Sequence, residues 1–210
     1  MVHRIFIAIN LPEDVKQKLS DYQKKLADLF MSCQDSFNKE PVRWVKKHNL
    51  HLTLIFLGNT SDQELYEICK ITKQTASKED PFFINFNKIC YGPQPQNKFS
   101  EEQTINKKIP RFIWVEGEKN KELIRLRQNL EKALFNSKNR SSSQLEKRGF
   151  LPHLTLGRIK QWEWKKIEPE ERPEIEQEIS LSVPVNSVEI MESKLKREGP
   201  EYTILESIKL

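Results

Sequence analysis

The chain has 210 residues, 37% apolar and 31% charged, and carries a net charge of +5. That length suits one medium domain, or two small lobes around a shared core. With a mean hydropathy of −0.68 and apolar residues gathered in periodic runs, the composition excludes both a membrane-embedded chain and a disordered one.

The opening stretch "HRIFIAIN" alternates, with Ile5, Ile7 and Ile9 on one side and Phe6 and Ala8 on the other, and predicts a strand. Its apolar run is too short for a secretory core, and acids follow it at once. Pro12, Glu13 and Asp14 make a helix start. Val15, Leu19, Tyr22, Leu26 and Leu29 continue it as one apolar face. "VRWV" and "HLTLIFL" predict two strands, the second ending at Gly58. "SDQE" at Ser61 to Glu64 predicts a capping box, with a helix through Leu65, Ile68 and Cys69. "FFINFNKICYG" predicts a strand, Gly92 to Pro110 a long surface loop, and "RFIWVEG" a strand. Leu123, Leu126, Leu130 and Leu134 mark a third helix. "SKNRSSSQLEKRG" reads as a polar loop and "FLPHLTLGRI" as a strand. The acidic segment 161–180 reads as a solvated linker or a short helix broken at Pro173. "NSVEIMESKL" and "EYTILESIKL" close the chain as a hairpin turning through Lys196, Arg197, Gly199 and Pro200.

Cys33, Cys69 and Cys90 are odd in number and lack metal-like spacing, so they read as reduced thiols of a cytoplasmic protein. Charge is uneven. From Lys98 to Lys160 there are fifteen Lys and Arg against seven Glu, which fits either a polyanionic partner or ordinary solvated surface.

The tetrapeptide His-Leu-Thr-Leu occurs twice, at His51–Leu54 and His153–Leu156, and uses two of only four histidines. On a strand, His51 and Thr53 share one face while Leu52 and Leu54 share the other, and the same holds for the second copy. The leucines anchor a core and the polar pair needs water or ligand. Two strands brought together would converge two imidazoles and two hydroxyls. One neutral imidazole can take a proton from water while the other, protonated, gives one to a leaving oxygen. Threonine hydroxyls can hold nonbridging phosphate oxygens. A zinc site is disfavoured because threonine is a poor ligand and His3 and His48 are not spaced to join. Arg158 adds a cation, though alternation places it on the leucine side of its strand. Trp44 and Phe150, ahead of the motifs, fit either nucleobase stacking or core packing. Trp162 and Trp164 fit RNA contact or packing of their segment onto the body. Arg4, Arg43, Lys46 and Lys47 fit the border of an anionic cleft or a solvated surface. Tyr202 reads as structural.

These residues resemble the two-histidine (2H) phosphoesterase superfamily and, within it, the RNA 2',3'-cyclic phosphodiesterases, also called 2'-5' RNA ligases. The likeness runs through "RIFIAINLP", "VRWVKKHNLHLTLIFLG", "PRFIWV", "FLPHLTLGRI" and "VEIMESKLKREGPEYTIL". It implies an α+β fold spanning residues 1–210 as a single domain of two interleaved lobes. These are related by a pseudo-twofold, each an antiparallel sheet with outer helices around a central cleft. It also implies metal-independent and cofactor-free opening of an RNA 2',3'-cyclic phosphate end to a 2'-phosphate; the chain is expected to act as a monomer. His51 would be the proton donor, His153 the proton acceptor, and Thr53 and Thr155 the phosphate-binding residues. Ligation or cleavage of 2'-5' linkages, another cyclic phosphodiester, and a non-catalytic RNA-end-binding module stand as alternatives.

Overall fold

The computed structural model describes residues 1–32, 40–93, 109–136, 150–197 and 199–210. Cys33, most of the Gly92–Pro110 stretch and the polar segment 137–149 lie outside them. The described strands are β1 (Val2–Asn10), β2 (Val42–Trp44), β3 (His51–Ser61), β4 (Phe82–Gly92), β5 (Phe112–Gly117), β6 (His153–Ile159), β7 (Gln177–Val185), β8 (Ser187–Lys196) and β9 (Gly199–Lys209). The helices are α1 (Glu13–Ser32), α2 (Asp62–Ala76), α3 (Lys121–Asn136) and the short α4 (Gln161–Trp164). No helix among the described residues is long and apolar enough to cross a membrane.

Two antiparallel sheets result, ordered β3-β1-β8-β9 and β2-β6-β5-β4-β7. Leaving β2 aside, the orders correspond. In each, a strand carrying the repeated tetrapeptide lies beside a strand that leads into a long helix: β1 into α1, and β5 into α3. One continuous apolar cluster joins the outer faces of both sheets to the helices. It takes Ile5, Ile7, Leu52 and Leu54 from the first sheet, Ile113, Val115, Leu154 and Leu156 from the second, and Leu19 and Leu123 from the helices. The α1 helix follows β1 yet packs on the second sheet, where the Gln23 amide donates to the carbonyls of Val45 and Leu156, both at 2.8 Å.

Three local features differ from the sequence pattern. On α1, Phe30 is buried and Leu29 is largely exposed, because a 3.6-residue turn carries the apolar stripe from Leu26 to Phe30 rather than to Leu29. Gly58 does not end its strand. It sits at φ 75° opposite Ile5, beside a bulge, and the strand runs on to Ser61. Ser61 then caps α2 in the expected capping box with Glu64. The acidic segment opens with the expected short helix, α4, but that helix ends at Trp164 rather than at Pro173, and the segment is no solvated linker: Trp164, Ile167 and Ile175 are buried, and β7 begins at Gln177. Leu181, Val183 and Val185 alternate inward on β7. That strand is a sheet edge, where Pro184 and flanking acids are tolerated.

Gly157 pairs with Trp44 where β2 runs antiparallel to β6. A Cβ there would stand 2.6 Å from Val42 Cγ1 and 3.1 Å from the Trp44 ring. Gly157→Ala should therefore destabilise the fold by about 1–3 kcal/mol, read as a lower urea midpoint with an unchanged slope.

Candidate functional site

The inner faces of the sheets, opposite the main core, carry the repeated polar pairs. In β1–β3 pairing Asn10 lies opposite His51 and Ala8 opposite Thr53. In β5–β6 pairing Glu116 lies opposite His153 and Trp114 opposite Thr155. The four leucines of the two copies are at most 3% exposed, whereas the histidines and threonines are half-buried. Strands β3 and β6 approach one another directly, and the two histidines are close enough for the charge of His153 to act on His51.

Each copy is followed by the same irregularity. In β3 the register with β1 shifts between Ile7 and Ala8, and Leu54 and Ile55 are buried in succession. In β6 the register with β5 shifts between Ile113 and Trp114, and Leu156 and Gly157 are buried in succession. Such a bulge reverses the alternation. It turns the fifth residue after each histidine, Phe56 in one copy and Arg158 in the other, onto the inner face. Alternation without the bulge put Arg158 on the leucine side. In the structure its guanidinium lies 5.1 Å over the Phe112 ring, and its charge acts on Tyr202. Phe56 is 69% exposed and was missed by the sequence reading. Its matching place in the two copies was the signal that could have found it.

Both imidazoles are held in the same way. His51 Nδ1–H donates to the Asn49 carbonyl at 2.6 Å, and His153 Nδ1–H donates to the Leu151 carbonyl at 3.0 Å. A carbonyl only accepts, so each Nδ1 carries the proton and each neutral ring keeps an unprotonated Nε2. His51 Nε2 meets Thr53 Oγ1 at 2.9 Å and accepts from that hydroxyl while the ring is neutral. Aromatic neighbours fix the ring planes. Phe6 and Tyr202 each lie 5.1 Å from the His51 ring, Tyr202 edge-on. Trp114 stacks on His153 at 4.0 Å and on Phe112 at 5.9 Å. Tyr202, expected to be structural, thus borders the site.

Charge distinguishes the halves. Burial pushes the His51 pKa below the ordinary value, and the positive charges of Lys16 and His153 push it further, against the stabilising Asn49 carbonyl. Arg4, Arg43 and Arg158 border the same space. Arg4 and Arg158 act on Tyr202 from the two sheets, and Arg43 approaches the hairpin at Gly199.

Trp44 and Phe150 are not on this face. Trp44 pairs with Gly157, packs edge-on to Phe30 at 6.3 Å and donates its indole N–H to Glu40 at 2.6 Å. Phe150 packs on the main core beneath the Arg127 guanidinium, 4.2 Å away. Trp164 is buried and Trp162 exposed. His3 is tied to Glu192 and Asp62, at 2.7 and 2.8 Å. Among the described residues no three His, Cys, Asp or Glu side chains are grouped to hold a metal ion.

A family model for LigT like phosphoesterases matches residues 9–99. A Thermotoga maritima protein named RNA 2',3'-cyclic phosphodiesterase is 30% identical over 205 residues, 96% of this chain and 92% of that one. The chain belongs to the LigT-like phosphoesterase family. A Bacillus subtilis protein of the same name is 30% identical over 154 residues, 73% of this chain and 69% of its own. Among crystal structures, a Thermus thermophilus protein superposes with a TM-score of 0.75 at 28% identity, covering 99% of this chain and 97% of that one. E. coli LigT in its apo form shares the fold, with a TM-score of 0.66 at 22% identity and coverage of 100% and 98%. The two-sheet α+β architecture is the fold of this LigT-like family.

A depressed histidine pKa stabilises the fold above the unfolded value of 6.5. That contribution is lost as pH falls through the folded value. His3, raised by Glu192 and Asp62, works in the opposite sense, so a difference measurement is needed. The urea midpoint should fall less in His51→Gln than in wild type between about pH 7 and pH 5. Equal falls would mean that His51 titrates as an ordinary histidine.

Proposed function

We propose that the protein hydrolyses the 2',3'-cyclic phosphate ends of RNA to 2'-phosphates, without a metal ion. The observation that carries this reading is the matched pair of imidazoles on neighbouring strands, each with Nδ1 fixed by a backbone carbonyl, so that Nε2 is the nitrogen turned away from the backbone and, in His51, is shared with Thr53. The names borne by its relatives support the same substrate class. In the forward direction His153 Nε2 takes a proton from water as the water oxygen bonds to phosphorus. The bond from phosphorus to the 3' oxygen breaks, and protonated His51 gives its proton to that oxygen. The products are a 2'-phosphomonoester and a free 3'-hydroxyl. Thr53 and Thr155 hydroxyls donate to the nonbridging oxygens as charge builds there. Arg158 supplies a permanent charge beside them. Trp44 and Phe150 take no part.

The acid role asks for a protonated His51, while the free protein disfavours that form. A bound phosphodiester offsets this, because its negative charge beside the ring favours the imidazolium. The depressed pKa of free His51 also favours a second reading, cleavage of a 2'-5' linkage, in which neutral His51 takes the proton of the neighbouring 3'-hydroxyl as that oxygen bonds to phosphorus. The bond from phosphorus to the 5' oxygen breaks, protonated His153 gives its proton to that oxygen, and a 2',3'-cyclic phosphate and a free 5'-hydroxyl result.

The deciding experiment is incubation with a short RNA ending in a 2',3'-cyclic phosphate. A 2'-monophosphate product supports the reading, and no product over hours leaves an RNA-end-binding module. His51→Ala and His153→Ala should each lower kcat by about 10²–10⁴-fold, and the double variant should lose far less than the product of the two. Full activity of either single variant refutes the mechanism. If His51 is the acid, the fall in rate at high pH should lie at higher pH for kcat than for kcat/KM, since the first reports the substrate complex and the second the free enzyme.

A further inference from the structure

We propose that Lys16 is a further substrate contact of this site, its ammonium donating to a nonbridging oxygen of the phosphate held against His51. The inference rests on the phosphodiester reading above. Lys16 lies at the end of the first turn of α1, with its backbone N–H on the Pro12 carbonyl at 3.0 Å. Only two residues separate the helix from β1, whose last residue, Asn10, lies opposite His51. The start of α1 and the first histidine are thus neighbours, and the Lys16 charge acts on His51 more strongly than that of His153.

Lys16 is only 7% exposed. Among the described residues its ammonium has no hydrogen bond and no ion pair. The carboxylates close enough to act on it, Glu13 and Glu189, are engaged elsewhere. Glu13 pairs with Lys47 at 2.5 Å. Glu189, itself buried, accepts from the Asn10 N–H at 2.7 Å and from the Ser187 and Ser207 hydroxyls at 2.5 and 3.1 Å. Burial holds the Lys16 pKa below that of an ordinary lysine, Glu13 and Glu189 oppose that shift, and Lys47 adds to it. The ammonium tip is not itself sealed from water, yet a cation on so deeply buried a stem, with no carboxylate partner, is still costly. A cation near the N-terminal end of a helix also opposes the helix dipole. Both costs are relieved when an anion reaches the His51 side of the site, where three N–H donors await it. A side chain that weakens the empty fold and improves it when loaded is the pattern expected of a binding group.

Lys16→Met keeps the aliphatic stem and removes the charge. Its thermal midpoint should equal or exceed that of wild type. Its KM for a short RNA ending in a 2',3'-cyclic phosphate, and its inhibition constant for inorganic phosphate, should both rise about 10- to 100-fold. Lys16→Arg, which keeps a donor, should fall between the two. Wild-type constants in Lys16→Met would overturn the proposal. So would a lowered midpoint with equal losses in both variants, which would make Lys16 a structural residue. If the wild-type protein ignores the RNA but loses phosphate affinity on Lys16→Met, the contact stands and the phosphodiester reading fails.

Discussion

Four leucine side chains hold the candidate site in place. Leu52, Leu54, Leu154 and Leu156 are almost fully withdrawn from water in the main core. Because a strand alternates strictly, fixing them there leaves His51, Thr53, His153 and Thr155 no other face to occupy. A one-residue slip of either strand would bury a histidine and a threonine and expose two leucines, at a cost of several kcal/mol. The apolar packing that stabilises the fold is therefore also what aims the polar groups. The backbone carbonyls of Asn49 and Leu151 then select the imidazole nitrogen that is presented.

Much of this was legible in the residues. The doubled tetrapeptide named the four polar groups, and strict alternation named their face. Periodicity located most strands and the three long helices. The unread features share a cause: they depend on partners distant in sequence. The bulges that turn Phe56 and Arg158 inward exist only because β1 and β5 lie alongside with a shifted register. Trp44 was equally consistent with base stacking or packing until α1, following a strand of the other sheet, brought Phe30 against it. Strand β7 was hidden by Glu178, the acids that precede it and Pro184, which an edge position tolerates.

The electrostatics of the inner face follow from the same arrangement. Lys16, Arg4 and Arg158 come from three elements, α1, β1 and β6, and their charges meet around His51 and Tyr202. Glu189 is the acid near Lys16, but its oxygens are committed to Asn10, Ser187 and Ser207, and Glu116 stands opposite the other histidine, His153. The charges around His51 are thus mainly positive, and together with burial they disfavour its protonated form.

The two tetrapeptide strands are near copies in burial up to the fifth residue, where one presents a benzyl ring and the other a guanidinium. A frame with matching halves would accept a nucleotide in two opposite orientations with similar energies. Unlike groups at the paired positions break that degeneracy, since a flat apolar base favours the ring and an anion favours the cation. Doubled architecture with unlike groups at matching places thus gives the groove a heading, so a strand end threaded into it has a front and a back.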